Sequence, residues 1–270
     1  MKIDLHCHTK EGSLDGKLPL AENVRLLKER GYQGMVLTDH NSYQAYRYYK
    51  KHKEEAIYRD FVVLKGIEYD SFDCGHFLII LPTGVKIPII ELRGLPISLL
   101  IEIVHHYGGI IGPAHPCGER YLSITNTRLG KKKTELLSKF DFFETFNACE
   151  SDESNDKAMA LAKMFDKPGT GGSDSHREDC AGLGYTEFNA EINNESDLIN
   201  AIRLGQGITA SGESYHKTLK QKLGPVNKVL VYSFFIYNKW GALVRSGKRH
   251  TELTQYAIHK NYTNTTSNAS

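Results

Sequence analysis

Across the first 210 residues of the chain, short apolar runs alternate with amphipathic stretches. Runs rich in β-branched and aromatic residues, bounded by Gly, Pro, Asn or Asp, predict strands. They fall at Lys2–His8, Met35–Thr38, Phe61–Glu68, His76–Leu81, Gly109–Ala114, Phe142–Asn147 and Gly169–Ser173. Helical spacing fills the gaps. Glu22–Arg30 carries Val24, Leu26 and Leu27 as its apolar stripe, and Gly31 and Gly34 supply the stop and the return turn. Ser42–Tyr58, Ser98–Tyr107 and Ser154–Met164 are the other predicted helices. Strands alternating with helices predict an α/β fold with a parallel sheet. A chain of 270 residues suits one α/β barrel, typically about 250 residues, better than two domains.

The pattern changes after Gly205-Gln206-Gly207. Residues 211–261 are predicted to extend the 1–210 unit, packing on the barrel or on a partner; they are polar and Lys-rich at first, then aromatic over Val229–Val244. Asn227, Lys228, Asn238 and Lys239 break that stretch, so it cannot span a bilayer as an isolated helix. Covering the barrel, forming a dimer contact and lying on a membrane surface stay open as its roles. The Thr/Asn/Ser-rich residues 262–270 predict a disordered tail.

Charge narrows the function classes. Lys and Arg number 34 against 32 Asp and Glu, so a net charge of +2 gives no overall field toward nucleic acid or anionic lipid. Cys7, Cys74, Cys117, Cys149 and Cys180 are scattered without CxxC spacing, which predicts reduced thiols rather than a disulfide framework or a thiolate zinc site. No long uninterrupted apolar stretch occurs and the N-terminus does not read as a secretory signal, so the expected location is the cytoplasm.

The first strand reads Lys2-Ile3-Asp4-Leu5-His6-Cys7-His8. Alternation puts Ile3, Leu5 and Cys7 on one face and Asp4, His6 and His8 on the other. Imidazoles and carboxylates then recur at strand ends. Asp39-His40 closes the second strand and Glu68 the third; His76 opens the fourth, His115 follows the fifth, and Asp174-Ser175-His176 follows the last. Six of the twelve histidines fall on these positions, too many for separately satisfied core histidines. Imidazole plus carboxylate without thiolate suits Zn, Mn or Fe in an open catalytic site. Asp39 and His40 are consecutive and point to opposite sides, so one of them is a ligand; His40 is the choice, with Asp39 orienting imidazoles or anchoring the turn.

In this order, His6-x-His8, Asp39-His40, Glu68 with His76, His115 and Asp174-x-His176 resemble the polymerase-and-histidinol-phosphatase (PHP) family of metal-dependent phosphoesterases. The resemblance extends over residues 1–210, through Gly182-Leu183-Gly184-Tyr185-Thr186 to Ala201-Ile202-Arg203. It implies a distorted (β/α)7 TIM-like barrel with two or three divalent metal ions at the strand C-termini. Position by position, it implies that His6, His8, Glu68 and Asp174 hold one ion. Glu68 bridges to a second held by His76 and His115, and Asp15, His40 and His176 hold a third. Many relatives carry Ser-Asp-Gly where this chain has Leu14-Asp15-Gly16, so the carboxylate is kept while its neighbour differs. Asp39, Glu68 and His176 are the residues expected to serve catalysis.

Other residues read differently. Cys7 belongs to the core by alternation, and Cys74 and Cys117 each sit near a ligand without a ligand's pattern. Lys131-Lys132-Lys133 reads as a solvated loop, although that segment can overhang the site in relatives. Arg120 and Arg177 lie nearest the ligands in sequence and are the expected contacts to phosphoryl oxygens.

Divalent ions around carboxylates serve phosphate-ester hydrolysis by metal-bound hydroxide, with neighbouring ions clamping the attacking and leaving oxygens. Gly-x-Ser-x-Gly and Walker motifs are absent from the sequence, which counts against acyl hydrolases and P-loop NTPases. Only about forty residues separate His76 from His115, without room for the nucleotide-pocket insertion of some relatives. The expected substrate is a small phosphomonoester. A 3′–5′ exonuclease on single-stranded nucleic acid and a non-catalytic metal-binding regulator are the alternatives. An amidohydrolase with a carboxylated lysine is disfavoured, because Glu68 stands where the bridge belongs.

Overall fold

β-branched and apolar runs pair into nine strands among the residues that the computed structural model describes, namely 1–118, 122–132, 134–215 and Trp240. In chain order the elements are β1 (Lys2–Cys7), α1 (Leu20–Glu29), β2 (Gly34–Leu37), α2 (Gln44–His52), β3 (Val62–Asp70) and β4 (His76–Ile80). There follow α3 (Ile97–His106), β5 (Ile110–Pro113), α4 (Arg128–Lys132), α5 (Thr134–Leu137), β6 (Phe143–Asn147) and α6 (Asp152–Met164). β7 (Gly169–Gly172), β8 (Gly184–Phe188), α7 (Glu195–Leu204) and β9 (Ile208–Gly212) complete the series. Chain contacts divide the protein into Met1–Lys222 and Leu223–Ser270.

All seven strands predicted from the pattern form, and β8 and β9 are additional. The seven-stranded sheet runs β5-β4-β3-β2-β1-β8-β9, and β6 pairs with β7 alone. β1–β2, β2–β3 and β6–β7 are parallel, as expected, but β4, β8 and β9 are not. The reason is connection length. Ser71–Gly75 between β3 and β4 is far too short for a crossover, which needs a dozen or more residues, so β4 folds back as a hairpin. Likewise Ser173–Leu183 contains only a 3-10 turn, and β8 returns antiparallel beside β1.

The β6–β7 pair is tied to the rest at both sides. The Asp141 N–H donates to the Ile111 carbonyl at 2.9 Å, while the Asp174 N–H donates to His6 at 2.6 Å and the His8 N–H to Ser175 at 3.0 Å. The apolar floor comprises Ile3, Leu5, Val36, Leu64, Leu78, Ile110 and Phe142, all buried together. Cys7 is not part of it. It packs with Leu20, Val24, Met35 and Leu37 under α1, which corrects the expected face shared with Ile3 and Leu5. The register slips between Asp4 and Cys7 where β1 meets β2, and such a bulge reverses the alternation beyond it.

Two local readings also change. The helix expected over Ser42–Tyr58 stops at His52, and a 3-10 turn follows at Ala56–Tyr58; Lys50–Glu55 offers no apolar residue to continue the stripe. Lys131 and Lys132, expected in a loop, lie exposed on the short α4. Arg120, Lys133 and the segments 216–239 and 241–270, including the expected tail and most of the aromatic stretch, lie outside the described residues. Trp240 is exposed. Among the described residues no helix is long and apolar enough to cross a membrane.

Candidate metal centre

Reversal of β4 has a direct consequence for the site. Antiparallel pairing sets His76, the first residue of β4, opposite Asp70, the last of β3. His76 therefore joins the C-terminal ends of β1, β2 and β3, where His6, His8, His40 and Glu68 already sit. His115 and Asp174 follow β5 and β7 in left-handed backbone (φ 32° and 50°), which turns each side chain back over the sheet. Nonglycine residues hold that conformation at a cost of about 1–3 kcal/mol, and such strain concentrates at functional sites.

Glu68 is the hub and is buried. Its Oε1 lies 2.8 Å from His76 Nδ1 and 3.1 Å from His115 Nε2. Its Oε2 lies 3.0 Å from His40 Nδ1, 3.2 Å from His8 Nε2 and 3.5 Å from His6 Nε2. Asp174 Oδ1 closes the His6–His8 side at 3.5 and 3.3 Å. Asp15 Oδ2 spans His176 at 3.4 Å and His40 at 3.6 Å, and the His8 ring packs against both the His40 and the His176 rings. Among the described residues three groups are close enough to share an ion: His6, His8 and Glu68; His40, Glu68 and His76; and His8, His40 and His176. All nine expected ligands thus meet in one cluster, with His8 and His40 between positions.

The donor set fits cations. Glu68 Oε2 is buried without a hydrogen bond although three imidazole nitrogens surround it, and His6 and His8 turn Nε2 toward each other at 3.2 Å. Lone pairs converging in this way are satisfied by a positive ion. Without one, the carboxylates recruit protons. Burial disfavours every charge here, yet the facing opposite charges prevail. His40, His76 and His6 hold Glu68 well below the usual carboxylate range. Glu144, Asp174 and Glu68 raise His6 far above an ordinary imidazole, and His40 rises beside Glu68 and Asp15. Asp15 pushes His176 up to about 9.

Openness is graded across the cluster. His6, His8, Glu68, His76 and His115 are buried, whereas the side chains of His40, His176 and Asp15 are 24%, 28% and 35% exposed. The cluster is therefore most exposed at Asp15, His40 and His176.

Asp39 touches no ligand ring. It accepts from the Thr9 N–H at 2.7 Å and the Ser13 hydroxyl at 2.8 Å, and the Ser13 oxygen lies 3.2 Å from His8 Nδ1. Arg177 donates to the Tyr215 hydroxyl at 3.0 Å and pairs with Asp179 at 3.5 Å. Among the described residues, Cys7, Cys74 and Cys117 join none of the groups close enough to share an ion. Sequence reading missed Ser13, Glu144 and Asn147. Glu144 had a visible signal: a lone acid inside the aromatic run Phe142-Phe143-Glu144-Thr145-Phe146.

A family model of the PHP domain matches residues 4–169, more than half of the chain, and a PHP-associated model matches residues 152–206. The chain belongs to the PHP domain family. The PolC-type DNA polymerase III of Thermotoga petrophila is 26% identical over 141 residues, which cover 46% of this chain and 10% of that protein. The chain spans a tenth or less of the length of the curated relatives it matches. A two-domain Bacteroides vulgatus protein, described as containing a predicted PHP-like metal-dependent phosphoesterase, has a similar structure. Its TM-score is 0.56 at 18% identity, with 79% of this chain and 65% of that chain covered. The lesion-specific endonuclease Q of Pyrococcus furiosus superposes with a TM-score of 0.59 at 20% identity, over 77% of this PHP chain and 57% of that chain.

Proposed function

We propose that this PHP chain hydrolyses a small phosphomonoester with the help of two or three divalent ions, Zn, Mn or Fe. The observation that carries the reading is Glu68, one buried carboxylate whose two oxygens face separate sets of imidazoles. His6, His8, Glu68 and Asp174 would hold one ion, Glu68, His76 and His115 a second, and Asp15, His40 and His176 a third. Bound ions supply acidified water and positive charge for the phosphoryl oxygens. The chain's own residues prepare the setting. Buried His6, His8 and Glu68 exclude bulk water from the back of the cluster, while Asp15, His40 and His176 form the open edge at which the ester arrives. Asp39 holds the Thr9–Ser13 turn and, through Ser13, the Nδ1 side of His8. Arg120 and Arg177 are the proposed cations for the phosphoryl group, Arg177 by exchanging Asp179 for substrate.

The same reading treats the strands as a distorted (β/α)7 barrel, supported by the bonds from Asp174 to His6 and from His8 to Ser175 that bring β7 beside β1. Cysteines scattered along the chain without CxxC spacing support a reducing, cytoplasmic setting. Near-neutral charge supports a compact substrate over a polyanion. Likeness to the PolC-type polymerase favours a second reading, attack on a nucleic-acid end.

A substrate panel at fixed Mn²⁺ separates the two. Sugar phosphates, nucleotides and amino-alcohol phosphates are compared with p-nitrophenyl phosphate and short single-stranded oligonucleotides. The expected result is slow, chelator-sensitive release from p-nitrophenyl phosphate and one metabolite class well above it. Oligonucleotides degraded from one end faster than every monoester would transfer the function to the second reading. Inert, fully metallated protein would leave a binding role.

A further inference from the structure

β6 reads Phe143-Glu144-Thr145-Phe146-Asn147, and the side chain of its one acid is fully buried behind the cluster. A buried carboxylate is expensive unless every lone pair is used. Here both oxygens are used, and by different ligands. Glu144 Oε1 lies 2.8 Å from His6 Nδ1, and Glu144 Oε2 accepts from the His115 backbone N–H at 2.6 Å. The Asn147 amide donates to the same Oε2 at 3.1 Å and to Asp174 Oδ2 at 3.2 Å.

We propose that Glu144 is a positioning residue that fixes one ligand of the first ion position and one of the second at the same time. The inference rests on the ligand sets proposed above. A carboxylate facing His6 Nδ1 keeps the ring proton on that nitrogen, which leaves the Nε2 lone pair free. That Nε2 is the atom that faces Glu68 Oε2 and Asp174 Oδ1, each at 3.5 Å. With the opposite tautomer, His6 would present a proton to the cluster and could not bind an ion. At His115 the bond acts on the backbone. With φ at 32°, His115 occupies a conformation that side chains rarely adopt, and the short bond from its N–H to Glu144 holds it there. Asn147 extends the same support to Asp174. Residues from β1 and from the β5 end are therefore set against Glu144, and the one from the β7 end against Asn147, both on β6.

The test measures binding of Zn²⁺ alone, by chelator competition and elemental analysis, in wild type and in Glu144→Gln. Glutamine keeps the shape but not the charge, and its amide NH₂ can meet His6 Nδ1 as a donor. The expected outcome is a ~10–100-fold loss of affinity, felt at the first two positions together, in protein whose thermal transition shows it folded. Glu153→Gln on the exposed face of α6 is expected to change nothing. Wild-type protein that binds Zn²⁺ beside an equally competent, folded Glu144→Gln would overturn the role of Glu144 while leaving the metal centre standing. Wild-type protein that binds none would remove the metal centre itself. A second measurement needs no variant: nitrogen-15 resonances of the His6 ring in the Zn²⁺-loaded wild type. A proton on Nδ1 is expected, and a proton on Nε2, or Nδ1 as the ligating atom, would also overturn the proposal.

Discussion

Single residues decide what this cluster can hold. Glu68 faces two sets of imidazoles, so in the proposed ligand sets its loss would act on more than one ion. Glu68→Gln is expected to lower turnover ~10³-fold, about 4 kcal/mol of transition-state stabilisation, and to reduce bound metal by more than one equivalent. Steady-state kinetics beside elemental analysis check it, and losses no larger than those of a His52 variant would refute the bridging assignment. Most of the clustered imidazoles and carboxylates were legible in the sequence as polar residues at strand ends, whereas Asp15 entered only through the family resemblance. Glu144 was not singled out, because an acid inside a strand declares its partner only when a distant segment is brought against it. His6 and Glu144 are 138 residues apart and meet at 2.8 Å.

At the scale of elements, connection length explains both the success and the failure of the pattern. Strand positions follow from composition. Direction depends on what joins them, and the five-residue Ser71–Gly75 link reverses β4 and thereby carries His76 to the ligand end of the sheet. The slip in β1 is a smaller case: a strict period of two groups Cys7 with Ile3 and Leu5, but the bulge moves it to the α1 side. α7 shows the opposite behaviour, with its ends set by local chemistry. The Asn194 side chain accepts from the Ser196 and Asp197 N–H groups at 2.9 and 3.1 Å, and Gly205 closes the helix in left-handed backbone (φ 65°). Asn194→Ala is expected to destabilise the fold by about 1 kcal/mol without altering metal content. Urea unfolding followed by circular dichroism measures the first, and a changed metal stoichiometry would show that α7 reaches the site.

For the whole molecule, the cluster couples metal uptake to protons. Carboxylates hold His6 and His40 well above the ordinary imidazole range and His176 up to about 9, so these rings carry protons at neutral pH in metal-free protein. A ligating imidazole must be neutral. Metal affinity is therefore expected to increase as pH rises, the His176 share of that increase being complete above about 9, with protons released on binding at neutral pH. Calorimetric titration in two buffers of different protonation enthalpy detects the release, and a pH-independent affinity would contradict it. The sequence by itself determined that strands alternate with helices, that imidazoles and carboxylates crowd the strand ends, and that their order follows a metal-dependent phosphoesterase pattern. These are properties of spacing along one chain. Only the tertiary structure decided which strands reverse, that β8 and β9 continue the sheet beside β1, that Asp39 reaches His8 through Ser13, and that Glu144 backs His6 and His115. Each of those depends on segments far apart in sequence, and a pairing between distant residues leaves no period in the chain to read.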